Sequence, residues 1–148
     1  MRETIQALRT ENQTIRAVLA EVDEAINRVI LAHYLTHEKE LEKEFLLFQT
    51  LRARLLWLFA SEEKGLIVRF RQGIRQNEEH TNPLYAVQNE IDTGFLAIRK
   101  VTDGYRAPAD GCATYDAMTA NLEKIEQLYK KRKPIAEALY QNIAGGNE

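Results

Sequence analysis

No glycine or proline occurs before Gly65, so the opening stretch of the chain contains no strong breaker of helical structure. Only seven glycines and three prolines punctuate the whole sequence. Long helices are the natural consequence. Ile5, Leu8, Ile15, Leu19, Val22 and Ile26 recur at helical steps and predict a first helix from about residue 2 into the twenties. Its far end has two candidates. A turn over residues 23–27 would start the second helix near Arg28, whereas Thr36 in LTHEKE offers an N-cap followed by first-turn carboxylates. The earlier turn is the preferred reading.

A second helix carries Leu41, Phe48, Leu51, Leu55 and Leu58 on one stripe to about Ala60, where Ser61 is expected to cap a further segment. Residues 61–82 mix apolar and basic side chains around two glycines, and read as an expanded connection whose apolar residues cover the bundle end or a second subunit. Asn82 followed by Pro83 predicts the start of a third main helix that ends at Asp103, with Gly104 as its left-handed terminator. GYRAPADG is the clearest loop, with Asp110 as the expected N-cap of a fourth helix. That helix reaches the Gly145-Gly146 stop through a kink at Pro134. The expected architecture is all-α: one domain, residues 1–148, forming an antiparallel four-helix bundle.

With 148 residues, 45% hydrophobic and a net charge of -2, the chain can bury a core and lacks the charge excess of a nucleic-acid binder. Its single cysteine, Cys112, cannot form an internal bridge. The polar start MRETIQALRT shows no targeting segment, and a cytoplasmic protein without a membrane span is expected. No nucleophile elbow or phosphate loop is present, so no enzymatic activity is expected.

Each apolar stripe has one polar interruption: Asn12, Glu44, Gln88 and Arg132. With a first turn near residue 27, Asn12 and Glu44 would stand at one height, as would Gln88 and Arg132 about the GYRAPADG loop. The expected result is a polar layer across the core in which Glu44 pairs with Arg132. One carboxylate, two amides and a guanidinium make a poor cation site.

ENQTIRAVLAEV, KELEKEFLLF, NPLYAVQNEI and APADGCATYDAMTANLEKIEQL resemble corresponding segments of hemerythrin-like proteins, over about residues 8–143. The last segment is similar to the cysteine-containing start of the fourth helix in the bacterial iron-sulfur-cluster repair branch. The resemblance implies a four-helix bundle that in the family holds a non-haem di-iron centre. Carried over residue by residue, the family's histidines fall on Asn12, Lys39, Gln88 and Arg132, and its carboxylates on Lys43 or Glu44 and on Ala136. None of the four histidine positions is histidine here. The resemblance therefore implies a vestigial metal site without a cofactor, in a non-enzymatic binding or regulatory module acting on an unidentified protein partner or through self-association.

The alternative is a hemerythrin-like protein of oxygen, nitric-oxide or redox response that binds iron through shifted ligands. His33 and His37 stand four apart with Glu40 and Glu44 continuing the line, and His33, His37 and Glu44 are the candidate metal ligands. Cys112 is read as a small packed residue near a helix start, His80 as a residue before a helix cap, and three of the four basic residues at 130–133 as solvent-facing.

Overall fold

The computed structural model describes residues 1–145, and every regular element among them is helical. The first element, α1, runs Arg2–Ala60 and leaves helical geometry only at His37, where φ is -131° and ψ is 31°. There the chain reverses. Gln49 donates to Asp23 at 2.9 Å, Arg16 meets Glu63 at 2.8 Å and Asn12 donates to Glu62 at 3.1 Å, so numbers fall along residues 2–36 as they rise beyond residue 38. These two arms form an antiparallel helical hairpin closed by one residue.

The reversal thus lies at the second of the two candidate turns, not at residues 23–27. The side chains that suggested the earlier turn serve the straight helix instead. Asn27 donates to the Asp23 carbonyl of its own helix at 2.8 Å, and the Asp23 carboxylate accepts from Gln49. Ile26 and Val29 are both fully buried, which carries the apolar stripe through the expected break. Thr36 does not cap the second arm; its hydroxyl donates to the His33 carbonyl at 3.2 Å and satisfies the end of the first.

Nor does the second arm stop at Ala60. Ser61 sits in right-handed helical geometry, and Ser61–Leu66 form a π-helical turn that leads into α2, Ile67–Arg71. The wider turn shifts the phase of the helix, and it leaves Glu62, Leu66 and Ile67 all buried. Most of the expected connection is therefore a prolonged helix. Gly73 terminates it with φ at 73°, while the amide of Ile74 donates to the Arg69 carbonyl at 3.0 Å.

Helix α3, Glu78–Val101, begins before Pro83 because Asn77 supplies a capping box. The Asn77 side chain accepts from the Glu79 amide at 3.0 Å, and His80 Nδ1 accepts from the Asn77 amide at 3.2 Å. His80 is therefore part of the cap itself. At the other end Gly104 takes the expected left-handed conformation, φ 78°, and its amide donates to the Arg99 carbonyl at 2.8 Å. Helix α4, Ala113–Gly145, runs through Pro134 and reaches the first glycine of the expected stop, with Gly146 outside the described residues. Asp110 is not at its N-cap position, and its carboxylate accepts from His37 instead.

Each neighbouring pair packs antiparallel. Arg54 meets Glu90 between the second arm and α3, while Tyr85 meets Tyr140 and Phe95 meets Tyr129 between α3 and α4. Glu11 with Lys131 and Glu21 with Asn121 close the circuit between the first arm and α4. One apolar core lies within, built from residues such as Leu8, Ile15, Phe48, Leu55, Ile91 and Ile125.

The capping box satisfies two backbone donors at the start of α3. Asn77→Ala should destabilise the protein by about 1 kcal/mol in urea melts, whereas Asn27→Ala, on an exposed helix face, should change stability by no more than about 0.5 kcal/mol.

Candidate functional site

Continuation of the second arm past Ala60 brings Glu62 into the core. Glu62, Arg132, Asn12 and Tyr140 are all fully buried, and the last three converge on the Glu62 carboxylate. Arg132 Nη2 and the Tyr140 hydroxyl both donate to Oε2, and Asn12 Nδ2 donates to Oε1 at 3.1 Å. Phe59 covers the guanidinium, its ring centroid 5.1 Å from Arg132 Cζ. Beside this group Asn12 also donates to Glu63 at 3.1 Å, and Glu63 pairs with Arg16. Burial, reinforced by the charge of Glu62, pushes the Tyr140 hydroxyl well above its ordinary pKa, so it stays a donor.

The expected Glu44–Arg132 pair is absent, and Glu62 takes the role assigned to Glu44. With the turn at His37, Asn12 stands opposite Glu62 and Glu44 belongs to the far end of the bundle. Gln88 and Ala136 are buried as expected, Gln88 with its backbone carbonyl accepting from Tyr129 at 3.3 Å. Lys39 and Lys43 are exposed and take no part. The sequence does contain the signal for Glu62. It continues the stripe of Phe48, Leu51, Leu55 and Leu58 at the next helical step, a continuation hidden by reading Ser61 as a cap.

What this layer offers a ligand is mainly hydrogen. Among the described residues, Arg132 Nε and Nη1, Gln88 Nε2 and Asn12 Oδ1 are buried without a hydrogen-bonding partner, and three of these four are N–H donors. A metal ion needs lone pairs. Its natural carboxylate ligand, Glu62, is already engaged by a guanidinium, so the layer does not fit a di-iron centre.

At the His37 turn a second cluster assembles. The rings of His33 and His37 lie 6.4 Å apart and pack against Tyr115, at 5.5 and 6.4 Å respectively. His37 Nε2 reaches Asp110 at 2.9 Å and so ties the hairpin to the loop before α4. The Tyr115 hydroxyl donates to the buried Glu44 carboxylate at 3.5 Å. Burial, then the charge of Glu40, pushes the Glu44 pKa up to about 7 against the smaller effect of the Tyr115 hydrogen bond. Cys112 is exposed rather than packed, and hydrogen bonding to His33, then to the first backbone amides of α4, lowers its thiol pKa. The structure thus gathers His33, His37 and Glu44 into one neighbourhood. Even so, no three His, Cys, Asp or Glu side chains among the described residues are disposed to hold one metal ion.

A third polar group was not foreseen. Glu126, buried on α4, accepts from the Tyr105 hydroxyl at 2.6 Å and lies 3.2 Å from Arg99 and 3.3 Å from Lys130. Lys131 and Lys133 reach Glu11 and Asp92 at the surface, which leaves Arg132 as the inward member of the basic run. No helix of the described residues is long and apolar enough to cross a membrane. No protein-family model, curated protein or solved structure matches the chain.

Two outcomes test these assignments. Arg132→Ala should destabilise by about 3–5 kcal/mol by leaving Glu62 buried and unpaired, and Glu62→Leu combined with Arg132→Met should recover much of the loss. In double-mutant cycles Arg132 should couple strongly to Glu62 and negligibly to Glu44; the reverse pattern would reject the pairing.

Glu44 sets a pH dependence. Its folded pKa of about 7 exceeds the ordinary 4.5, so the fold favours the protonated form. The corresponding stability is fully present below pH 4.5 and is lost as pH rises through 7, a change of about 3 kcal/mol. Glu44→Gln should flatten this part of the stability profile, and an unchanged slope would show that Glu44 is not its source.

Proposed function

We propose that this chain is a degenerate hemerythrin-like bundle that holds no di-iron centre and acts as a non-enzymatic binding or regulatory module. Counting the arms of α1 separately, the prolonged second arm, α3 and α4 complete an up-down-up-down set of four helices. That arrangement supports the resemblance carried by the helical segments. The single observation that favours loss of the metal is the fully buried Arg132 guanidinium on the Glu62 carboxylate. A permanent cation of the protein's own neutralises the core carboxylate there. Asn12, in contact with Glu62, and the buried Gln88 and Ala136 are read as non-ligating replacements, while Lys39 and Lys43 are exposed.

The second reading keeps iron but moves it to the His37 turn. The proximity of His33 to His37, and of both rings to the Tyr115 that contacts Glu44, favours it. Such a site would need rearrangement to bring three donors onto one ion.

Iron analysis separates the two. Protein expressed with added ferrous iron and then desalted should carry well below one iron per chain and lack the near-ultraviolet bands of an oxo-bridged pair. About one iron per chain, retained in an Arg132→Ala variant but lost in a His33→Ala, His37→Ala variant, would overturn the first reading in favour of the second.

A further inference from the structure

Two of the largest exposed apolar side chains stand one helical turn apart beside the His37 reversal: Leu31 is 87% and Leu35 96% exposed. Next to them, Ile30, Tyr34, Phe45 and Leu46, with Glu42, line a shallow, largely apolar pocket of about 220 Å³ between the two arms. Leu46 is itself 66% exposed at its rim. The other strongly exposed large apolar residues, such as Trp57 on the second arm and Leu96 on α3, are not grouped in this way. Projecting leucines and a pocket able to receive a leucine share one face.

The charges around this face are divided. On one side of the leucines lies Arg28, whose only ionic contact among the described residues is the solvent-exposed Glu24 one turn away, at 2.5 Å. On the other side lie Glu38 and Glu42. Neither meets a cation within 4 Å among the described residues, and both accept only from the Tyr34 hydroxyl, at 3.2 and 3.0 Å. That hydroxyl is held up at about 12, first by Glu42 and then by Glu38, and remains a donor between them.

We infer that this outer face at the His37 turn is a twofold contact surface for a second copy of this chain. A twofold axis through the Leu31–Leu35 turn places Leu35 of each copy toward the other's pocket and brings Arg28 of each copy to the other's Glu38 and Glu42. The complementarity is internal to one surface, as an isologous interface requires. An unrelated partner would need only the pocket or only the leucines, and would leave the opposed charges unexplained. The patch is confined to one turn of the first arm and the pocket beside it, small against the roughly 800 Å² per partner of a stable complex, so the dimer is reversible and concentration-dependent. This inference stands independently of the hemerythrin-like reading, since it uses no residue of the buried layer.

Light scattering and sedimentation on the full chain, from about 5 to about 500 µM, provide the test. The mass should rise from 17.1 kDa toward twice that value across the range. Leu35→Glu and Leu31→Glu should each abolish the rise with unchanged circular dichroism. Arg28→Glu and Glu42→Arg should each weaken association about tenfold, and the two combined should restore it. Trp57→Ser serves as a control and should associate like the parent. A parent protein that stays monomeric throughout, a Leu35→Glu variant that associates as well as the parent, or a charge-reversed pair that fails to recover would each overturn the proposal.

Discussion

The buried pairing of Glu62 with Arg132 is the interaction on which the arrangement of the helices depends. Two ions removed from water are tolerable only when every helix that carries them is held in register, because a shift of one residue leaves a charge without its partner. The carboxylate comes from the second arm, the guanidinium and Tyr140 from α4, and Asn12 from the first arm. Three segments are locked by one side chain. Apolar packing alone would tolerate several related alignments of the same stripes; this cluster selects one.

The prolongation of the second arm past Ala60 makes the selection possible. Glu62 and Leu66 continue the stripe of Leu55 and Leu58 at the regular helical step, and the wider turn at Ser61–Leu66 brings Ile67 onto the buried face beside them. The polar group among them is an anion, and the cation that answers it is supplied by the chain.

Much of this was legible in the residues. The scarcity of breakers predicted the long helices, and the interruption of each stripe correctly picked out Asn12, Gln88 and Arg132 as buried. Glu44 was also rightly read as buried, but its partner was not. The error has one origin, the turn. Asp23 and Asn27 are turn-forming residue types, yet their side chains bond to a neighbouring arm and to their own helix, a choice made by tertiary packing. Moving the reversal to His37 re-pairs every height on the first hairpin. Ser61 misled in the same manner, since a good capping residue in the middle of a continuous helix carries no local mark of its unused capacity. Asn77 and His80 were legible in principle as a capping box, but the more conspicuous Asn82-Pro83 pair drew the helix start to itself.

A hairpin closed by a single residue has an evolutionary consequence. Any insertion or deletion between Asn12 and Glu62 turns one side of the hairpin by about 100° per residue against the other, and no slack in the turn can absorb it. Length variation should therefore be strongly disfavoured in the first half of the chain and confined to the stretches at residues 72–77 and 102–112. The spacing between Asn12 and Glu62 becomes a more durable signature of descent than the identity of either residue.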